Sequence, residues 1–238
     1  MTTMVANTWI QLSGGWFWMG GGSGRDEGPR HQLCLRPFEL ARTPVTRAEY
    51  ETFLATTGHP PPAGFDDPRF GHPNMPAVGL SWHDAAEFCA FVSERDHRPT
   101  RLPTEAEWEH AALAGRETAL YPWGDAPPES LPDYHIRWRD GPEPVDLYPS
   151  MHPLGFVGLG ENIHEWCSDW YAADYYETSP NHDPLGPSKG HRKSSRGGAW
   201  RHAVKVSRCA ARSSIPPDRR YTDYGVRLAR DTSSDGTT

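Results

Sequence analysis

Residues 101–115, RLPTEAEWEHAALAG, carry the clearest local signal in the chain. Thr104 followed three residues later by Glu107 is a capping box, in which two side chains satisfy backbone N–H groups at the start of a helix. Gly115 is typical of the residue that ends a helix, since glycine tolerates the left-handed conformation found there. The stretch therefore predicts a helix that opens at Thr104 and ends at Gly115.

Two helices upstream begin with the same signal. Thr46 with Glu49 opens a helix that is expected to end at Gly58, and Ser81 with Asp84 opens the segment SWHDAAEFCAFVSERD. Each of these caps is a Ser or Thr followed three residues later by an acid.

Short strands are predicted around these helices. Residues 8–20 alternate and are rich in aromatic residues, which predicts a hairpin turning at residues 14–15. Residues 31–40 form a second strand region, in which Pro37 marks an edge or a bulge because proline cannot donate to a sheet. The remainder of the chain reads mainly as short strands joined by long loops.

Composition supports this loop-rich reading. Glycine (23) and proline (24) supply about a fifth of the 238 residues, which disfavours a helical bundle. Ten Trp, nine Tyr and eight Phe exclude general disorder. We therefore predict one α+β domain over residues 8–230, with little regular secondary structure and many ordered loops, followed by a disordered tail at residues 231–238.

Charge and cysteine content limit the possible binding partners of the protein and its expected cellular compartment. The net charge of −7 gives no basic excess for nucleic acid, and no apolar stretch is long enough to span a membrane. The start of the chain lacks the pattern of a secretory signal. A cytoplasmic location with reduced thiols is therefore expected, because the cysteines are scattered without C-x-x-C spacing. They are Cys34, Cys89, Cys167 and Cys209.

Several arginines lie among apolar residues in the second half of the chain. Since buried charges need partners, we expect them to form buried ion pairs that fix the loops. The arginines are Arg196, Arg208, Arg212 and Arg227, and acids in the same blocks are Asp169, Asp218 and Asp223.

Seven blocks follow one another along the chain. They are PFELARTPVTRAEYETFL (37–54), PAVGLSWHDAAEFCAFV (76–92), RLPTEAEWEHAA (101–112), YPWGD (121–125), GENIHEWCSDWY (160–171), RGGAW (196–200) and RCAARSSIPPDRRYTDYGVRLAR (208–230). Each block is weak alone, but in this order they resemble the formylglycine-generating enzyme (sulfatase-modifying factor) superfamily, from about residue 8 to residue 230. The resemblance implies a variant of the C-type lectin fold.

The chain departs from this superfamily where the enzymes perform their chemistry. Aerobic formylglycine-generating enzymes bind copper(I) through two cysteines that follow an R-G-G-S motif, since copper(I) favours soft sulfur ligands. Residues 196–212 here read RGGAWRHAVKVSRCAAR, with His202 on or next to the first cysteine position and no counterpart of the second. The chain is therefore not expected to generate formylglycine.

A second departure lies in residues 155–166, GFVGLGENIHEW, where His164 replaces a tryptophan of the common block. In formylglycine-generating enzymes that tryptophan lies close to the cysteine pair. The resemblance thus implies that His164 and His202 face one cavity. There they would be catalytic residues and ligands of a divalent transition metal (iron, zinc or copper), with Glu161 as a third ligand. Alternatively, His164 fills a tryptophan-sized hole through a hydrogen bond and His202 is a surface loop residue.

The same block bears on calcium, which the superfamily often holds as a structural ion. The resemblance implies that the carbonyl of Ile163 and the carboxylate of Glu165 are ligands. Gly158 lacks the side-chain oxygen usual at its position, which weakens the site because calcium prefers six or more oxygens. Glu165 and Trp166 both match the common block and are expected to stabilise the scaffold.

Two functional classes remain open on these grounds. The leading one is an oxidoreductase-like tailoring enzyme that oxidises a small amino-acid- or peptide-like substrate with the help of a metal. Arg201, Lys205 and Tyr224 would then bind a substrate carboxylate or ring. The alternative is a non-catalytic ligand- or protein-binding module, such as an immunity-type protein, whose acidic balance would suit a basic protein partner.

Overall fold

The computed structural model describes residues 8–202 and 206–232. Its α-helices start at the predicted capping boxes, with both reciprocal hydrogen bonds present in each box. Helix α1 ends at Gly58 in the left-handed conformation, as predicted. Helix α3 ends slightly earlier than predicted, because Ala114 already adopts the left-handed conformation before Gly115. The helices are α1 (Arg47–Thr57), α2 (Trp82–Asp96) and α3 (Glu105–Leu113).

Short strands and three single-turn 3-10 helices account for the other regular elements of the described residues. The strands form sheets of order β1-β4-β9, β2-β3 and β7-β6-β5-β8. They are β1 (Trp9–Leu12), β2 (Gly15–Met19), β3 (His31–Leu35), β4 (Phe38–Ala41), β5 (His164–Trp170), β6 (Lys193–Arg196), β7 (Arg212–Ile215), β8 (Tyr224–Gly225) and β9 (Ala229–Asp231). The 3-10 helices are Pro68–Phe70, Pro128–Ser130 and Tyr175–Glu177.

The predicted hairpin over residues 8–20 is wrong, although both of its strands exist. Strand β1 pairs with β4, and β2 pairs with β3. Gly14 packs its backbone against the chain between β3 and β4, where a Cβ would lie 2.3 Å from the carbonyl oxygen of Leu35. This close approach directs the two strands to different partners. The predicted strand region 31–40 is correspondingly divided before Phe38, at the position of Pro37.

Sheet β7-β6-β5-β8 positions the residues discussed below. Its central strand β5 pairs antiparallel with β6 and parallel with β8, so that Glu165 lies opposite both Arg196 and Gly225. Helix α3 packs on this sheet through the fully buried Trp108, and Trp166 of β5 is also fully buried. The apolar residues of helices α1 and α2 pack around Trp166 from the other side. Strands β5 and β8, which begin at residues 164 and 224, are thus held side by side.

Buried ion pairs hold the loops in place, as the sequence predicts, but most of their acids are glutamates. The carboxylate of Glu165 binds the guanidinium of Arg227, and neither side chain has any exposed surface. Arg212 binds Glu105, whose side chain reaches in from the first turn of α3. The predicted acid Asp218 instead lies at the surface beside His83. Similar pairs join Arg196 to Glu109 and Arg208 to Glu27.

The C-terminal end of the described chain lies near the predicted domain boundary at residue 230. Strand β9 extends to Asp231, which accepts a hydrogen bond from Arg101, so the ordered chain continues past residue 230. Residues 233–238 of the predicted tail lie outside the described residues. Across the described ranges, every helix is too short or too polar to traverse a lipid bilayer.

Candidate functional site

The first residue of β5, His164, lies at the end of the sheet where β8 begins. Its backbone N–H donates to the carbonyl of Asp223 over 2.9 Å, in register with the parallel pair His164 and Tyr224. This short parallel ladder brings residues 164 and 223 together from distant parts of the sequence. The side chains of both residues are buried.

His202 reaches the same place from the loop that follows β6. A turn after Gly197 and Gly198 closes with a hydrogen bond from the His202 N–H to the carbonyl of Ala199 over 2.8 Å. The ring of His202 then lies 5.0 Å from the ring of His164, centroid to centroid, in an edge-to-face arrangement. The structure therefore brings together His164 and His202, the two histidines that the resemblance implies face one cavity.

Asp223, whose backbone carbonyl accepts from the His164 N–H, completes the group. Its Oδ2 lies 3.3 Å from Nε2 of His202, and its Oδ1 lies 3.8 Å from a guanidinium nitrogen of Arg201. One potential ligand atom each from His164, His202 and Asp223 lie within 4.8 Å of one another. The His202 side chain is 48% exposed, so the group opens to solvent on that side. We call these three residues the His–His–Asp cluster.

The hydrogen bonding of His164 defines which of its nitrogens is available. Nδ1 lies 2.6 Å from the carbonyl oxygen of Gly197. A carbonyl can only accept, so Nδ1 carries the proton and Nε2 of the neutral ring presents a lone pair. Burial lowers the pKa of His164 to about 4, with His202 acting in the same direction and Asp223 opposing. His164 is therefore neutral at physiological pH, the form that binds metals.

Glu161, the third ligand expected from the sequence, is not part of this cluster, whose carboxylate comes from Asp223. Glu161 lines a separate small pocket with Arg137 and Glu143. Burial, and then repulsion from Glu143, raise the pKa of Glu161 to about 7. Sequence reasoning missed Asp223 because an acid in an arginine-rich block also suits an ion pair. Asp223 directly precedes Tyr224, and this position places it beside His164 only because β8 pairs with β5.

The three residues predicted to bind substrate lie in different surroundings. Arg201 is half exposed beside Asp223, and its guanidinium lies 5.4 Å from the ring centroid of Trp200. Tyr224 is buried, with its ring 4.7 Å from that of His164 and its hydroxyl 3.1 Å from Oγ of Ser213. Tyr224 therefore supports His164 instead of facing a substrate. Lys205 lies outside the described residues.

The structure contradicts Glu165 as a calcium ligand. Both of its oxygens accept hydrogen bonds from the Arg227 guanidinium, and Oε2 also accepts from the indole N–H of Trp108 over 2.8 Å. A calcium ion would have to displace a buried cation from this carboxylate. The side chain of Ile163 is fully buried with Phe70 and Val78, and the role of its carbonyl as a calcium ligand stays a prediction. Glu165 serves the scaffold, as its match to the common family block predicts.

The buried cysteines retain their protons. Burial raises the pKa of the thiols of Cys89 and Cys209 to about 12, and it raises the pKa of the Cys167 thiol well above its usual value. Cys209, the cysteine nearest in sequence to His202, packs in the core with its sulfur 3.6 Å from the carbonyl of Ala112. A copper(I) site needs thiolates, so Cys209 does not stand in for the missing pair.

Comparison with known proteins agrees with this architecture. A family model described as the sulfatase-modifying factor enzyme 1-like domain matches residues 2–232. The formylglycine-generating enzyme of Streptomyces coelicolor is 32% identical to the chain, over 93% of the chain and 88% of that enzyme. The solved structure of PvdO from Pseudomonas aeruginosa, 24% identical, matches with a TM-score of 0.79 over 94% of each chain.

A serine/threonine-protein kinase, Pkn1 of Chlamydia trachomatis, is also similar, at 34% identity over 93% of this chain. The chain spans only 38% of that kinase, little more than a third of its length. The family model and the Streptomyces enzyme, by contrast, cover the described domain almost completely. The α+β fold expected from the sequence is thereby confirmed, and the chain belongs to the family of formylglycine-generating (sulfatase-modifying factor) enzyme-like domains.

Proposed function

We propose that the protein is an oxidoreductase-like tailoring enzyme that uses a divalent transition metal to oxidise a small amino-acid- or peptide-like substrate. The observation that carries this proposal is the His–His–Asp cluster, with one potential ligand atom from each residue within 4.8 Å of the others. Two histidines and one carboxylate with open positions are the ligand set typical of non-haem iron(II) oxygenases. Zinc and copper(II) are the other metals that these ligands suit.

The cluster fits such an ion after a small adjustment. Donor atoms that share one ion at about 2.1 Å lie roughly 3–3.5 Å from each other. Since His202 is half exposed and lies on a loop, rotation of its side chain can bring its nitrogen inward. His164 already donates Nδ1–H to a backbone carbonyl, the contact that usually orients a ligating histidine.

The residues around the cluster have separate tasks in this proposal. Tyr224 packs against the ring of His164 and fixes its plane. Arg201 lies beside Asp223 and would bind a substrate carboxylate, with Lys205, four residues further along the sequence, as a second cation. A bound metal would supply the site for oxygen and for electron transfer, and the exposed side of His202 leaves room for the substrate next to it.

Metal content and oxygen consumption test this proposal together. Protein freed of metal with a chelator is incubated with iron(II), zinc or copper(II) in turn, desalted and measured by elemental analysis. We expect about one ion per chain for at least one metal, as a single His–His–Asp cluster predicts. Oxygen uptake with a panel of amino acids and dipeptides should then depend on that metal. Protein that retains no metal and shows no metal-dependent shift in Tm would overturn the proposal and favour a non-catalytic binding module.

A second prediction separates this activity from that of the related enzymes. The protein should not convert the cysteine of a sulfatase-type peptide to formylglycine, with or without copper, because the thiolate pair is missing. Mass spectrometry of the peptide after incubation detects the aldehyde directly, with an active formylglycine-generating enzyme as the positive control. Aldehyde formed at a rate above that of the buffer blank would contradict the prediction.

A further inference from the structure

Strand β2 (Gly15–Met19) lies at the edge of a two-stranded sheet, with a neighbouring strand on one side only among the described residues. Its partner β3 has a neighbour on both sides, because Cys34 also exchanges backbone hydrogen bonds with the loop at residues 181–183. The Cys34 N–H donates to Asn181 over 2.8 Å, and its carbonyl accepts from Asp183 over 3.0 Å. The open side of this sheet is therefore the edge of β2.

The hydrogen bonds of Cys34 define which backbone groups of β2 face outwards. Trp16 lies opposite Cys34 in the antiparallel register. Since both backbone groups of Cys34 point away from β2, this pair is not hydrogen-bonded, and the N–H and carbonyl of Trp16 point away from β3. The alternation of the ladder gives Trp18 the same orientation, and neither residue has a backbone partner on that side among the described residues. The edge thus presents two donors and two acceptors, a charge pattern that complements another strand.

This edge lacks the features that usually prevent strand addition. Edge strands in monomeric proteins are commonly protected by charged side chains, prolines or bulges. The sequence of β2 is GWFWM, without a charge or a proline, and its register with β3 is regular. Trp16 and Trp18 are 54% and 37% exposed, so the edge is open to solvent. An exposed aromatic edge of this kind favours pairing with another extended chain.

A groove runs along this edge, between β2 and the end of helix α3. It consists of two neighbouring cavities of about 510 and 430 Å³, which share Trp18 and Leu113. Of the β3 residues, only Gln32 lines the groove, which places the groove on the open side of β2. Leu154 and Leu120, 41% and 47% exposed, add apolar surface to one cavity each. The groove therefore has room for apolar side chains of a segment that pairs with β2.

Charge indicates which kind of segment fits. The charged side chains that line the groove already have partners within the chain. The ion pairs are Arg30 with Glu117, Arg208 with Glu27 and Glu109 with Arg196, whereas Arg116 and Asp125 bind backbone groups. Burial lowers the pKa of His110, so its ring is neutral at physiological pH. A charge at the centre of the bound segment would thus lack a counter-charge, and an uncharged segment fits better.

We propose that the edge of β2 binds an uncharged, extended segment of a partner protein, which adds a strand to the β2–β3 sheet. The backbone of the segment would exchange hydrogen bonds with Trp16 and Trp18, and its alternate apolar side chains would enter the two cavities. The groove shares no residue with the His–His–Asp cluster. The inference therefore goes beyond the proposed function and does not depend on it.

Hydrogen exchange of the free protein tests the open edge. The backbone N–H groups of Trp16 and Trp18 should exchange with deuterium at least about tenfold faster than that of Phe17, which points into the ladder towards Leu33. Slow exchange at both tryptophans would show that the edge is already covered. A dimer in analytical ultracentrifugation whose dissociation accelerates this exchange would assign the edge to a second copy of the chain. Either result would overturn the proposal.

Titration calorimetry with synthetic peptides tests the binding itself. Each peptide of the panel alternates one apolar residue type (valine, isoleucine, leucine or phenylalanine) with threonine, and carries a lysine at each end for solubility. Its matched control has the same side chains and charge but a methyl group on every central amide nitrogen, which removes the donors. We expect at least one peptide to bind about tenfold or more tightly than its methylated control, because backbone hydrogen bonds are lost. Equal affinity for every such pair, or no binding across the panel, would overturn the proposal.

Variants locate the peptide at β2. Trp18→Val removes the ring that borders both cavities and keeps the N–H, and we expect about a threefold loss of affinity. Trp18→Pro removes the N–H as well, and a further loss of about fivefold is expected. Because this N–H points away from β3, a proline at the edge should preserve the fold, which circular dichroism checks. If Trp18→Pro nevertheless unfolds, Trp18→Val and the methylated peptides still decide the outcome.

Two further variants serve as controls. Leu185→Thr changes a residue that is 70% exposed and lies outside the groove, and His202→Ala changes the His–His–Asp cluster. Both should bind the peptide as tightly as the parent. A loss in Leu185→Thr equal to that in Trp18→Val, or parent-like affinity in folded Trp18→Pro, would place the peptide elsewhere and overturn the proposal.

Discussion

Replacing His202 with alanine is expected to abolish metal retention while leaving the fold intact. The side chain is 48% exposed and makes only local contacts, so its removal should change the free energy of unfolding by less than about 0.5 kcal/mol. It supplies one of three potential ligands, however. Loss of a residue that merely supports a ligand typically costs 10- to 100-fold in metal affinity, and we expect losing the ligand itself to cost at least about 100-fold. Elemental analysis and competition with a chelator measure this directly.

His83→Ala is a closely matched control. Nε2 of His83 lies 3.3 Å from an oxygen of Asp218, the same distance as between His202 and Asp223, and its side chain is 55% exposed. Unlike His202, His83 does not belong to a group of three potential metal ligands among the described residues. Metal binding should survive His83→Ala and fail in His202→Ala. Equal retention in the two variants would show that the metal, if bound, is held elsewhere.

Replacing Arg227 with methionine is expected to cost about 3–5 kcal/mol of unfolding free energy, the largest effect on stability that we predict. Arg227 and Glu165 have no exposed surface, so removing the guanidinium leaves an unpaired carboxylate in the core. The guanidinium also donates to the carbonyls of Ala41, Arg42 and Val157, each of which would lose this donor. Urea denaturation followed by circular dichroism gives the value.

Two comparisons show whether the unpaired charge is the cause. In the double variant Arg227→Met with Glu165→Gln, the charge is gone and part of the stability should return. Arg36→Ala breaks an ion pair with Asp183 in which the arginine is 82% exposed, and should cost less than about 1 kcal/mol. A cost for Arg227→Met no greater than that for Arg36→Ala would show that the buried pair contributes little.

The parts of the fold that depend on neighbouring residues were predictable, and those that depend on distant partners were not. The capping boxes at Thr46, Ser81 and Thr104 lie within one helical turn, so the sequence contains both halves of each interaction. Strand pairing, in contrast, joins residues that are far apart in the sequence. The residues of β1 and β2 suit a hairpin, yet each strand pairs with another one, and Gly14 between them packs against Leu35 and Arg36 at the end of β3.

The same distinction between neighbouring and distant residues applies to the candidate metal site. The proximity of His164 and His202 was predictable from the resemblance, which implies that both face one cavity. Glu161, the carboxylate expected as the third ligand, instead lines the pocket of Arg137 and Glu143. Asp223 enters the cluster through a parallel pairing of two residues per strand, too short a ladder to leave a pattern in the sequence.

This short parallel ladder between β5 and β8 also sets the order in which the cluster can form. His164 and His202 are synthesised before Asp223, and His164 meets Asp223 only when the segment at residues 223–225 has joined β5. A nascent chain that has not reached Asp223 therefore presents two imidazoles without their carboxylate. Contacts between such distant residues form late, because closing the intervening loop costs entropy. A metal captured by the complete cluster would in turn stabilise the β5–β8 contact, so that metal supply during synthesis would favour completion of folding.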